Sequence, residues 1–590
     1  MITIRRRVSR GLAILGFFGL VMPTWAQTPV GNAEKELQQK RELTQKAYTL
    51  VDEIAIGAHG LKLPENRSFV LTSAADLLWR HDEKRARALF WDSLNTINLL
   101  VDPSVNSSKP KKISQKRYFA IFSLRQGLLR TVAKHDPQLA LDMLRTTHQL
   151  PLNEVNAGYG LPDDSELEQQ IATEAAARDP ERGLQLARDS LAKRLTYQLL
   201  ELLDRLNQRD QEVAAKFAGD IIDKLQTRNV ATDILASQVA IELVRWSRKP
   251  NGSKPEQDSA ANSSYQLKLA VETRRQLVDL VANAALSASA NSTLLNSVNE
   301  IMTEIQEFVP ERVALLQRKL SAFEQTLNKE QRSWNDYNSL VRAGSPEDMI
   351  AASLKADSEQ RRMLHQQAIV IAIFRRRTEA LREFIKNEVE DDSLQRSLMD
   401  DLDSEQITAA TVGGDADELR TLLPRVRRKE ERARAMAELA VVLEKKGDHD
   451  EAVKLLDEAR TMIKVDFESE TQSNALMALV AAYAVVEPPK AFAIIERTID
   501  RANDQISKAL LLDKIVRSGV IKNGELLMQN SATISPEYVM FRYGKSVAAL
   551  ATADFNRTRA AADRFERMEL RLMMRLLLAQ SLLEDGRRTK

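Results

Sequence analysis

Apolar residues recur every three to four positions along almost the whole chain, and runs that alternate apolar with polar residues are absent. That period predicts helices at 32–58, from Pro64 to His81, and onward to about Leu100. Further helices are predicted at 115–134, 137–149, 165–178, 180–193, 195–208, 211–226 and 230–247. The pattern resumes at 266–288, 291–308 and 310–342, and closes with 537–553 and 556–584. No strand is predicted.

Where one helix gives way to the next, a short motif recurs. An acidic residue, often followed by Pro, has a small residue four positions on. The copies are Asp82 with Ala86, Asp136-Pro137 with Ala140, Asp179-Pro180 with Gly183, Asp210 with Ala214, Asp448 with Ala452, and Glu487-Pro488 with Ala491. Ser345-Pro346 and Asp415 open two more helices, with Glu418 at the capping-box position after Asp415. The polar side chain can accept from the free N–H groups of the new helix. Proline at the first helical position loses nothing, because its missing N–H would be unpaired there. The small residue one turn in lets the new helix press on the previous one. Repeated helix–turn–helix units of this kind build an α-solenoid, so the expected fold is all-α, a right-handed superhelix of antiparallel helix pairs.

Residues 103–112 and 150–164 are rich in Pro, Gly and polar residues and read as loops. The sharpest break is Lys249 to Tyr265 (KPNGSKPEQDSAANSSY), which has almost nothing apolar to repay its ordering. The expected organisation is therefore a lobe at 27–248, a linker at 249–265 and a second lobe at 266–590.

The first 26 residues stand apart. Arg5, Arg6, Arg7 and Arg10 precede an apolar run from Gly11 to Met22, which is too short to span a bilayer. Pro23 ends the run, and Thr24-Trp25-Ala26 presents small residues where a signal peptidase reads. The expectation is an export signal cut between Ala26 and Gln27, giving a periplasmic or extracellular protein with no stable membrane insertion. The chain's net charge is +2. The signal's four arginines account for that excess, and without them acidic residues outnumber basic ones. Charge thus gives no argument for nucleic-acid binding. The chain has no cysteine, which excludes disulfides and thiolate metal sites.

Met436 to Ala459 (MAELAVVLEKKGDHDEAVKLLDEA) resembles a tetratricopeptide repeat. Met436, Leu439, Ala440 and Leu443 fall on that family's first-helix positions, Gly447-Asp448 on its turn, and Ala452, Leu456 and Ala459 on its second helix. Val70, Ala74, Leu77, Ala86 and Phe90 fit a looser copy, as do Ala475, Leu479, Ala491 and Ile495. Spacing between copies is uneven, whereas the family keeps a period near 34. The resemblance implies a concave surface for proteins or peptides, with no particular ligand.

Candidate chemistry is sparse. His-Asp occurs at His81-Asp82, His135-Asp136 and His449-Asp450, but His59, His148 and His365 show no ligand spacing with them. The Asp in the first two is already explained as a helix cap. Asp400-Asp401-Leu402-Asp403-Ser404-Glu405 lacks the glycine and frame of a calcium loop. Arg375-Arg376-Arg377 and the basic stretch Arg425 to Arg434 read as solvated faces. Trp79 and Trp91 flank Asp82 and could meet on paired helices as a sugar platform. No nucleophile elbow, phosphate loop or zinc-protease motif is present. No cofactor, metal or catalytic residue is expected. The expected role is a non-catalytic scaffold for proteins or peptides at the cell envelope. The alternative is a helical glycan-processing enzyme, a superhelix or α/α toroid using paired carboxylates.

Overall fold

A computed structural model describes residues 30–100, 115–147, 164–248, 266–289, 293–463, 469–516, 521–528 and 536–588. The expected loops at 103–112 and 150–163, the linker 249–265 and the export signal lie outside the described residues. The chain divides into a short unit, Met1–Lys46, and a large one, Ala47–Lys590. Within the short unit the described backbone from Val30 is helical. All that follows concerns the large unit.

That unit is an all-α solenoid. Most helices pack on the next in sequence, and alternate helices pack on one another along the layers named below. One layer runs through Pro64–Leu78, Gln115–Ala133, Asp164–Ala176 and Gln198–Arg209. Glu83–Asn98, Pro137–Thr146, Pro180–Lys193 and Gln211–Gln226 alternate with them. The same order returns later, with Lys429–Lys446, Glu470–Val486, Pro536–Ala553 and Met568–Arg588 in contact in succession. The last of these packs directly on Pro64–Leu78, so the layer continues across the two ends of the array.

The small residues of the recurring motif do what close packing requires. Ala86, Ala140, Ala214, Ala452 and Ala491 are all fully buried. At Gly183 a methyl group would lie 2.6 Å from the Cα and Cβ of Ala176 on the preceding helix, so only glycine fits there. A continuous buried cluster runs from Ala172 to Leu327, drawing on helices Ile234–Trp246 and Val271–Ser287 on either side of residues 249–265. The Leu267 N–H also bonds the Trp246 carbonyl at 2.8 Å. A second cluster spans Tyr337 to Leu402, and a third spans Ile407 to Leu550.

The helix pattern is finer than the apolar period suggests. The predicted helix 310–342 breaks at Leu327, which turns extended (φ −66°, ψ 135°) and separates Val313–Thr326 from Lys329–Ala343. The Arg332 guanidinium secures the break by donating to the Leu327 carbonyl at 3.0 Å. The predicted helix 556–584 is two helices, Phe555–Asp563 and Met568–Arg588. Asn503 clamps the turn between them, donating to the Arg564 carbonyl at 2.8 Å and accepting from the Glu566 N–H at 3.2 Å.

One prediction is corrected outright. Ile521–Lys522 and Glu525–Leu526 form an antiparallel hairpin. Asn523 (φ 51°) and Gly524 (φ 77°) make its two-residue turn, the left-handed pair that a type I′ hairpin needs.

Candidate functional site

Most of the residues that the sequence singles out stand at helix starts. Asp82 accepts from the Arg85 N–H, Asp136 from Leu139 and Asp179 from Arg182. Asp210 accepts from Glu212 and Val213, and Asp415 from Asp417 and Glu418. Ser345 forms a full capping box with Asp348: each side chain takes the other's N–H, at 3.1 Å in both directions.

Two positions behave differently. Asp448 makes no side-chain bond to the helix His449–Met462 that it precedes. Its backbone (φ −89°, ψ 58°) is not the extended conformation that aims the cap at Asp415, although both return their own N–H to the previous helix, Asp448 to Leu443. Gly447, left-handed at φ 92°, makes that return possible. At Glu487 the two prolines that follow offer no N–H, and its carboxylate pairs with Lys490 Nζ at 2.7 Å.

The three His-Asp pairs do not converge. His135 donates or accepts at Asp76 Oδ1 at 2.5 Å and stacks on Trp79 at 4.9 Å. Arg87 lies 4.9 Å over the same Trp79 ring and bonds Asp136 at 2.6 Å. Burial alone would push the Asp136 carboxyl up. The Leu139 N–H and the Arg87 guanidinium outweigh it and hold the group below its ordinary range. This node joins four consecutive helices. His81 stacks on Tyr48 at 4.0 Å, and His449 bonds Glu444 at 2.9 Å on an exposed surface. His148 lies outside the described residues. Among the described residues, no group of three or more His, Asp or Glu side chains is placed to hold a metal ion. Trp79 has His135, Phe90 and Arg87 as ring neighbours, and no ring contact joins it to Trp91 among the described residues.

The acidic run stitches helices together. Asp403 is buried and pairs with Arg382, while Asp401 reaches Arg428 at 3.2 Å. Arg428 also meets Glu431 at 3.0 Å, and Arg425 meets Glu379 at 3.2 Å. Within the first cluster, Arg377 pairs with Glu347 at 2.9 Å. The basic stretch and the acidic run thus neutralise one another locally. In the tetratricopeptide-like stretch, Met436, Leu439, Ala440, Leu443, Ala452, Leu456 and Ala459 are all buried. Asp457 there gathers the Tyr483 hydroxyl at 2.9 Å and Lys490 at 2.7 Å. Lys490 keeps Asp457 low, whereas burial and Asp457 push Tyr483 up.

Sequence reasoning passed over one side-chain pair with catalytic residue types. His365 Nε2 lies 2.7 Å from Ser353 Oγ. Ser353 is fully buried and donates to the Ile350 carbonyl at 2.6 Å, so its oxygen faces no substrate. Burial, helped by the Arg361 charge, pushes His365 down to about 4 and keeps it neutral. The pair is a buried hydrogen bond between helices Pro346–Ser353 and Ser358–Phe374. On the surface, Asp179, Arg182, Arg188 and Asp189 line a shallow, charged depression of about 520 Å³. Arg188 is already paired there with Asp220 at 2.7 Å.

No family model and no curated protein matches the chain. Among solved structures it is similar to a circular tandem repeat protein with novel repeat topology and enhanced subunit contact surfaces. That likeness has 14% identity, covers 93% of this chain and 99% of the other, and has a TM-score of 0.14. At that score it carries no argument, so the fold rests on the helix contacts given above.

Proposed function

We propose that this protein is an exported helical-repeat scaffold that binds proteins or peptides at the cell envelope and performs no chemistry. The carrying observation is what the titratable side chains at the motif positions do. Most of them cap helices or bridge neighbouring helices, and among the described residues they form no group that could hold a metal ion. A tetratricopeptide-type origin is part of the proposal, supported by the buried pattern at 436–459. Export is supported by the basic, apolar and small-residue order of the first 26 residues. Among the described residues no helix is long and apolar enough to cross a membrane. Apolar side chains do reach the surface: Val370 and Phe374, one turn apart on Ser358–Phe374, are about half exposed. Large exposed side chains of this kind are where a partner would be sought.

The experiment is to produce the chain with its leader in a bacterial host and fractionate the cells. The scaffold reading expects material beginning at Gln27 in the envelope fraction. It further expects a stoichiometric protein partner on immobilised mature protein, lost in Val370→Asp/Phe374→Asp. Intact Met1 in the cytoplasm would overturn export. Turnover of envelope glycan by the purified chain, abolished by a carboxylate substitution, would replace the scaffold with the enzyme reading.

A further inference from the structure

Helix Pro64–Leu78 starts without a cap of its own, since Leu63 has no side-chain acceptor. The two N–H groups just before the helix, those of Lys62 and Leu63, find their acceptor at the far end of the chain. Glu525, on the second strand of the hairpin, is 6% exposed. One carboxylate oxygen accepts from the Lys62 N–H at 2.5 Å. The other accepts from the Leu63 N–H at 3.0 Å and the Asn66 amide at 3.3 Å. Asn66, itself 1% exposed, reads the backbone of the same segment. Its amide donates to the Leu526 carbonyl at 2.8 Å, and its carbonyl accepts from the Met528 N–H at 2.9 Å. On the opposite side, the Leu526 N–H donates to Glu569 at 3.1 Å, and Arg567 holds Glu569 at 2.6 Å. Lys522 adds an ion pair to Glu65 at 2.5 Å.

We propose that residues 521–528 are a clasp that holds the two ends of the helical array together, with Glu525 as its latch. A hairpin with two-residue strands is not stable alone, so its position depends on what it binds. Its bonds to the Leu63 N–H and to Asn66 are buried at the seam between Pro64–Leu78 and Met568–Arg588. Apolar packing accompanies these bonds. Leu572 seats on Gly57 and Met568 on Gly60, where a methyl group would come within 2.8 Å and 2.6 Å respectively. Withdrawing Glu525 leaves the Lys62 and Leu63 N–H groups without their acceptor and takes from the Asn66 amide one of its two. A buried donor left unpaired costs more than the bond itself contributes. The seam then opens while each helix pair keeps its own core.

The test uses the full mature chain. It has no cysteine, so Ile56→Cys and Glu566→Cys, both exposed positions, can carry the only two spin labels. Pulsed dipolar spectroscopy of the labelled parent should show one short-distance population. Glu525→Ala should add a long-distance population, with the closed-to-open ratio falling roughly tenfold or more, at unchanged far-ultraviolet helicity. Gly524→Val is the second variant. It strains the turn through its φ of 77°, while a Cβ at that position meets no other atom within 4 Å, and it should give the same long population. Distances that superimpose on the parent in both folded variants would overturn the proposal. So would loss of helix in both, because a latch predicts opening and not unfolding.

Discussion

Replacing Asp136 separates a structural node from a chemical one. The carboxylate has two partners: the Leu139 N–H at 3.0 Å, which is the cap, and Arg87 at 2.6 Å, which ties the helix to Glu83–Asn98. Asp136→Ala loses both. The cap contributes roughly 0.5–2 kcal/mol. The ion pair has side chains 37% and 24% exposed, so solvent screening limits it to about 0.5–1 kcal/mol. Asp136→Ala should therefore cost about 1–3 kcal/mol, whereas Asp136→Asn keeps the cap and should cost only about 0.5–1 kcal/mol. The sign with pH follows from the lowered Asp136 group. Its contribution is complete above the ordinary carboxylate value near 3.8 and is lost as pH falls through the still lower folded value. Asn should be flat across that window. A chain of many helix pairs need not unfold in one step, so amide exchange within Pro137–Thr146 is the primary readout, with thermal melts beside it. Equal losses for Ala and Asn would refute the cap. An activity abolished by Asn at unchanged protection would refute the structural role altogether.

Gly183→Ala should destabilise by roughly 1–3 kcal/mol, because the new methyl meets backbone of Ala176 that cannot turn aside; an unchanged urea midpoint would contradict the close approach. His365 is held neutral in the fold at about 4, while the unfolded imidazole protonates near 6.5. Stability should fall as pH drops from about 6.5 toward 4 and then level off, and His365→Gln should flatten that slope in pH-dependent melts. Limited proteolysis should cut first within 249–265. The two fragments should then stay together on gel filtration, because one buried cluster spans both sides; fragments that separate and remain folded would show two independent lobes.

How much of this was legible follows from the range of each interaction. Caps and small residues act within one turn, so Asp136, Asp179 and Gly183 announced their helices in the sequence. Asp448 misled because the motif specifies residue types and not backbone angles: its ψ of 58° departs from the extended conformation of the Asp136, Asp179 and Asp415 caps. The breaks at Leu327 and after Asp563 left no mark on the apolar period, since polar side chains fix them: Arg332 bonds the Leu327 carbonyl, and Asn503 bonds the turn after Asp563. The hairpin had one local signal, Asn523-Gly524, but its strands are too short to show an alternating pattern. Closure of the array had no local signal, because Glu525 and Leu63 are 462 residues apart.

Closure is also the most direct point of attack. Lys522 Nζ lies 2.5 Å from Glu65 Oε1 across the seam, close enough for a zero-length carbodiimide cross-link in the unmodified chain. Lys193 with Glu168 at 2.6 Å and Lys490 with Asp457 at 2.7 Å are internal controls within the helical layers. Peptide mapping should find Glu65 joined to Lys522 as readily as the two control pairs. Mixed light and heavy protein should show the link to be intramolecular. Control links without the Glu65–Lys522 link would contradict a closed helical array.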